Sequence, residues 1–269
     1  MVLVFLKRGV NVAKIILMPN SQKQIEKTID LVDGYILGIK SLSINASFLV
    51  KENIKIENKK IFVLLNKNYQ NRELKKIEKT INQLKPIDGI LFADLALLKL
   101  NKKIKLYWHA EHFTTHYQII DDASGMFVSN DLNIKEMVEI RKKTKKELFV
   151  QVFGHYPIFN SVRHLVNNFC ETEKKSFLIN HENDFFPIID DQNGTTIYSS
   201  KLINGIDYIE KLKDFDYWVI NGFNIGDKEL LKVINNFKNK TKFSIKNQDN
   251  NFFEKKVIYK LKEQKNEKN

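Results

Sequence analysis

Cysteine is almost missing from this 269-residue chain, with Cys170 the only one. A single thiol excludes an internal disulfide framework and any site that draws several cysteines from one chain. Arginine is nearly as rare: among 44 basic residues only Arg8, Arg72, Arg141 and Arg163 are arginine. Long apolar runs are missing too. The opening stretch MVLVFLKRGVNVAKIILMP is interrupted by Lys7, Arg8 and Lys14, short of the roughly 18 apolar residues a spanning helix needs. It also lacks the ordered charged start, apolar middle and small-residue cleavage site of a secretory signal. These absences predict a cytoplasmic protein with no membrane partner. No G-x-S-x-G elbow, P-loop, G-x-G-x-x-G or solenoid-length repeat occurs, so the common hydrolase, nucleotide and dinucleotide signatures are excluded.

What the chain has is lysine, asparagine and isoleucine, and a formal charge of +12. A basic balance permits an RNA partner held through its phosphates. The same three residues are what AT-rich coding favours, so the charge alone does not show that partner.

Short apolar runs recur between charged amphipathic stretches. Strands are predicted at 14–18, 34–39, 60–66, 89–94, 105–111, 126–130, 149–154 and 217–222. Their near-continuous apolarity implies burial on both faces, as in a parallel sheet. Helices are predicted at 21–32, where Ser21 offers an N-cap, and at 71–84 and 133–144. Strand–helix alternation with about eight strands gives an α/β fold, a parallel (β/α) TIM-like barrel. The rhythm breaks late in the chain. The segment 175–200 reads as a β-rich insertion, expected over the barrel mouth. One barrel domain spans 1–254, and 255–269 is a charged C-terminal tail.

Asn66, Asp94, His109, Glu111, Asn130, His155 and Asn221 fall at the C-terminal ends of predicted strands, which converge on one mouth in a barrel. Helix capping is the plain alternative for Asp94 and Asn130. WHAEHFTTHY (108–117) is the densest cluster. His112 and His116 have zincin spacing, but Phe113 stands where the general-base glutamate belongs. His109 and Glu111 match H-x-E of a zinc deaminase, whose P-C-x-x-C partner a single cysteine cannot supply. Glu111 is a candidate base or ligand-positioning carboxylate; an ion pair across the barrel is the bland reading. In GHYPIFNSVRH (154–164), His155, Ser161, Arg163 and His164 are candidates, with Arg163 able to clamp a carboxylate or phosphate or to make only a surface salt bridge. Cys170 reads as a buried apolar residue.

The ordered segments IILMPNSQKQIEKTIDLVDGYILG, KIFVLLNKNYQNREL, DGILFADLALL, AEHFTTHYQII, FVQVFGHYPIFNSVRHLV and FFPIIDDQNGTTIYSS resemble the collagenase-like peptidase (U32) family over residues 14–222. The resemblance implies a barrel and oxygen-independent hydroxylation of a transfer-RNA wobble uridine, a ribosomal-RNA cytidine or a quinone precursor. It implies prephenate as cosubstrate of the RNA-directed members, and in several members an iron–sulfur cluster on four cysteines. This chain departs from that pattern. His164 stands where short members often have a cysteine, and Asn221 stands where relatives carry a glutamate. A cluster held by this chain alone is excluded by its cysteine count.

The leading expectation is therefore an RNA-modification protein with Glu111, His109 and His155 handling protons. Arg163, Asn66, Asp94 and Asn221 would bind the substrate or an anion, and His112, His116 and His164 remain the metal candidates. The alternatives are a peptidase and a non-catalytic subunit, with another U32-type chain as an oligomeric partner.

Overall fold

The computed structural model describes residues 13–40, 42–44, 46, 48–50, 56–84, 86–99, 104–109, 122–169 and 176–254. In chain order the elements are β1 (Lys14–Met18), α1 (Gln22–Thr28), β2 (Gly34–Ile39), β3 (Leu49–Val50), β4 (Lys60–Leu65), α2 (Leu74–Gln83), β5 (Gly89–Phe92), β6 (Leu106–His109), β7 (Gly125–Phe127), α3 (Ile134–Lys143) and β8 (Glu147–Gly154). There follow β9 (Pro157–Ser161), β10 (Ser176–His181), β11 (Asp184–Asp191), β12 (Gly194–Tyr198), β13 (Ile203–Asn204), β14 (Tyr217–Asn221), α4 (Asp227–Asn239) and α5 (Asn251–Glu254).

Eight of these strands close into a ring. β1 pairs in parallel with β14 on one side and with β2 on the other, and the circuit continues through β4, β5, β6, β7 and β8 back to β14. All eight pairings are parallel. This is the TIM-like barrel that the apolar runs predict.

Period-two alternation sorts the strand side chains into two cores. Ile16, Ile36, Phe62, Leu64, Leu91, Tyr107, Phe127, Phe149, Tyr217 and Val219 fill the interior of the ring. Their neighbours in sequence, among them Leu17, Leu37, Val63, Phe92, Val150 and Ile220, face outward into a second core shared with Ile25, Ile77, Ile81, Met137, Ile140, Val233 and Ile234 of the helices.

The helices start where local chemistry permits. Ser21 Oγ accepts the N–H of Gln24 at the head of α1. Asn133 and Glu136 form a reciprocal capping box on α3, satisfying donors that a helix start leaves unpaired. α1 is shorter than the predicted 21–32, because the N–H groups of Leu31 and Val32 both turn back onto Thr28 O.

The barrel floor is aromatic. Phe149 lies 5.0 Å from Phe62, 5.0 Å from Tyr107 and 4.2 Å from Tyr217, ring centre to ring centre. Small residues make room for these rings: a Cβ on Gly89 would stand 2.5 Å from the Tyr107 ring, and one on Gly125 would stand 1.9 Å from Glu147 O. The Tyr107 hydroxyl donates to the Glu147 carboxylate, which Lys105 also reaches at 3.0 Å.

The late β-rich region is a second, antiparallel sheet in the order β10-β11-β12-β9. Gly154, at φ +112°, turns the chain off β8 towards it; a Cβ there would also meet Asn221 O at 2.4 Å, so only glycine fits this corner. Residues 157–161 fall outside the strands predicted from sequence, yet they pair with β12. Two contacts tie the sheet to the C-terminal end of the barrel. The Tyr198 ring packs tilted against that of Phe223 at 4.1 Å, and Asn193 Nδ2 donates to Ser43 O at 3.0 Å.

Truncating the central ring of the floor should be costly. Phe149→Ala is expected to lower the unfolding free energy by about 3–5 kcal/mol, measured as a shift in urea midpoint at unchanged slope.

Candidate functional site

The inward register of β6 runs from Tyr107 to His109, so the strand delivers an imidazole at the C-terminal mouth of the ring. Its ring meets Phe127 edge-on at 4.6 Å. Burial pulls the His109 pKa down to about 4, leaving the ring neutral near pH 7.

Beside it lies a connected set of amides. Gln151, inward on β8 and buried, donates through Nε2 to His155 O at 3.0 Å and accepts at Oε1 from Asn130 Nδ2 at 3.1 Å. Asn221, at the end of β14, donates to the same His155 carbonyl at 2.9 Å and accepts the Phe223 N–H at 3.0 Å. The buried His155 ring stands 2.7 Å from Ser199 O through Nδ1. A carbonyl can only accept, so Nδ1 carries the proton and Nε2 holds the lone pair. Burial lowers the His155 pKa, only partly opposed by the Ser199 bond. The structure thus joins His155 and Asn221 with two residues of lesser sequence prominence, Asn130 and Gln151. Gln151 had one visible signal: a lone amide inside the otherwise apolar run FVQVFG.

The other candidates are placed as follows. Asn66 is buried and its Oδ1 accepts the Ile44 N–H at 2.9 Å. Asp94 accepts from Tyr69 N and Ala96 N, both at 2.9 Å, which anchors the loop after β4 and the short helical turn Leu95–Lys99. Arg163 is exposed on the turn after β9, its carbonyl held by the Thr195 hydroxyl. His164 Nδ1 lies 2.9 Å from Asp190 Oδ1. Asp190 is fully buried and also accepts the N–H groups of Val166 and Asn167. Burial pushes its carboxyl up, but the Asn167 N–H, His164, the Val166 N–H and Thr195 together leave it below the usual carboxylate range. Arg163 and His164 therefore belong to the framework of the second sheet. Glu111, His112, His116 and Cys170 lie outside the described residues, as does the tail 255–269.

On the β1, β2 and β4 side of the ring is a small apolar dimple, with room for about one water, walled by Met18, Pro19, Ile36, Ala46, Phe48 and Leu64. Gly38 lets the wall close, since a Cβ there would stand 2.3 Å from that of Ala46.

Among the described residues no group of three or more His, Cys, Asp or Glu is arranged to hold a metal. The four-cysteine cluster of some U32-like proteins does not fit this chain, which has one cysteine. No helix of the described residues is long and apolar enough to cross a membrane.

Buried His155 and half-buried His109 make stability pH-dependent. Their folded pKa values lie below the unfolded value of about 6.5, so the unfolded chain binds protons first as pH falls. Stability is full above that pH and is lost as pH drops towards about 4. The His109 share is expected to be about 2–3 kcal/mol, read by urea unfolding at pH 7 and pH 4.5, and His109→Asn should flatten the profile.

Comparison with known proteins places this geometry. The chain is 26% identical over 219 residues to the "tRNA hydroxylation protein P2" of Bacillus subtilis (strain 168), covering 72% of this chain and 71% of that protein. A solved structure of orotidine 5'-monophosphate decarboxylase from Methanocaldococcus jannaschii, complexed with the inhibitor BMP, superposes with a TM-score of 0.48 at 13% identity, over 85% of this chain and 98% of that one. The model of Peptidase family U32 matches residues 42–268. With most of the barrel, the amide network and the second sheet inside that match, the chain belongs to Peptidase family U32.

Proposed function

We propose that this protein takes part in hydroxylating a pyrimidine base of transfer or ribosomal RNA without molecular oxygen, acting as an enzyme in the cytoplasm. The observation that carries this reading is its similarity to the B. subtilis tRNA hydroxylation protein along most of both chains. The buried amides of Gln151 and Asn221 agree with it, because a nucleobase offers hydrogen-bonding edges. The charge of +12 supports it through RNA phosphates, which lysines hold without reading sequence.

In this reading His155 Nε2 and His109 accept or pass protons, and Glu111 acts as the base or orients the reacting group. Asn66, Asp94 and Asn221 hold the loops and strand ends that frame the base. Arg163 meets an anionic cosubstrate such as prephenate, carried in with the second sheet, which roofs part of the mouth. A second reading, that of a subunit whose partner does the chemistry, is favoured by Asn221: both ends of its amide are engaged by His155 O and Phe223 N, a structural task in a position where relatives have a glutamate.

Nucleoside mass spectrometry of RNA from cells with and without the gene tests the reading; one hydroxylated pyrimidine should disappear and return with the wild-type gene. An unchanged nucleoside profile sinks it. Glu111→Ala should abolish the product if this chain is catalytic and leave it intact if a partner is. RNA affinity of the purified protein should fall steeply with salt, by filter binding between 50 mM and 200 mM salt.

A further inference from the structure

The second sheet carries most of the molecule's exposed apolar surface. Among the large apolar side chains left exposed in the described residues, only Leu95 lies outside that sheet and the turns that follow β9. Exposed apolar side chains gathered in one place mark a contact surface. The sheet ends on two edge strands, β10 and β9, and neither has a further strand beside it among the described residues. β9 is blunted. It opens on Pro157, and its pairing with β12 slips between Ile197 and Tyr198, two devices that spoil an edge for further pairing.

β10 has neither device. Its sequence SFLINH holds no proline and no lysine, arginine, aspartate or glutamate, in a chain with 44 basic residues. Its pairing with β11 is unbroken from Ser176 to His181. Every residue of the strand but Phe177 is exposed, Leu178 by 63%. The turn residues Glu182 and Asn183 are both left-handed, at φ +48° and +71°, as a type I′ hairpin requires. Such a turn closes on a hydrogen-bonded pair, His181 with Asp184. Alternation then turns the N–H and C=O groups of Ser176, Leu178 and Asn180 outwards.

What fits this edge is β10 itself. Let a two-fold axis stand perpendicular to the sheet at Leu178. An antiparallel second copy then sets Leu178 against Leu178, Phe177 against Ile179 and Ser176 against Asn180. Apolar meets apolar and hydroxyl meets amide. The match extends to charge: +12 on each chain opposes association elsewhere, but neither copy brings a charge into this junction. On one face Phe186 and Ile179 run on into Phe177 and Ile188 of the second copy, an unbroken apolar row by the register of β10 with β11. Opposed outward residues exchange both of their N–H···O bonds. An axis at Ile179 sets Leu178 against Asn180 and Phe177 against His181, and the match is lost.

We propose that β10 is the interface of a two-fold homodimer, in which the second sheets of two copies join edge to edge into one continuous sheet centred on Leu178. A contact of this kind closes on itself, so the edge is covered without growth into a fibre. The proposal stands independently of the base-modification reading.

Sedimentation velocity of the full chain, at concentrations up to about 100 μM, compares wild type with Leu178→Lys and with Leu95→Lys, a control of equal charge. The wild type is expected to dimerise as concentration rises. Leu178→Lys sets two cations face to face at the axis and should raise the dissociation constant by about tenfold or more. Its melting temperature should not move, because Leu178 is exposed. Leu95→Lys should dimerise like wild type. Oxidative cross-linking on a Cys170→Ser background reads the register. Leu178→Cys should give a disulfide-linked dimer, since opposed hydrogen-bonded residues have Cα atoms about 5.5 Å apart. Ile179→Cys should not, because each copy of residue 179 faces Phe177 and lies out of disulfide reach of the other. Should Leu178→Lys fail to fold, the cysteine pair decides. A wild type that stays monomeric overturns the proposal and leaves the edge to a different chain. A dimer that Leu178→Lys leaves intact overturns it by placing the contact on another surface, and equal cross-linking through both cysteines overturns the register.

Discussion

The pairing of β1 with β14 on one edge and β2 on the other turns what would be an open sheet into a ring, and the placement of His109, Gln151 and Asn221 follows from that closure. Once eight strands share a ring, alternation leaves each strand residue two destinations, the interior or the helical layer. Ile16 and Val219 go in; Leu17 and Ile220 go out. His109 and Gln151 inherit their inward direction from Tyr107 and Phe149, two residues earlier on the same strands. The interior lacks the volume for eight large side chains at one level, and the glycines at the starts of β2, β5 and β7 resolve this. They yield space to Tyr107 and to the backbones of neighbouring strands, which lets four aromatic rings interlock beneath the mouth.

The second sheet is fixed by a different constraint. Asp190 is a buried carboxylate, tolerable only because backbone N–H groups, His164 and Thr195 converge on it. That convergence pins the turn carrying Arg163 and His164 onto β11 and β12. His155 and Arg163 are eight positions apart in sequence, yet β9 intervenes, and the two are held by different frameworks. His155 is tied to the barrel through Asn221 and Gln151, Arg163 to the second sheet through Thr195.

Strand positions were legible where composition alone determined them. KIILM and GYILGI are strands over the residues that the apolar runs mark, because burial on both faces leaves no polar position to blur the edges. β9 was hidden. PIFNS opens on proline and is half polar, and it is a strand only because β12 supplies partners for Phe159, Asn160 and Ser161. The strand-end polar residues were legible as a group, but their duties were not. Asp94 and Asn66 spend their acceptors on loop backbone, and such bonds depend on chain segments more than twenty residues away. Gln151 is masked in the sequence by the apolar neighbours that dominate the hydropathy of β8. Its importance lies in which carbonyls surround it, information that sequence does not carry.

The interlocked rings of Phe62, Tyr107, Phe149 and Tyr217 have a consequence for traffic. They close the ring at its base, so the barrel is a cup and not a tunnel. Anything that reaches His109 or the amides around it enters and leaves by one doorway. The direction of approach is thereby set by a wall of aromatic side chains packed at the opposite end.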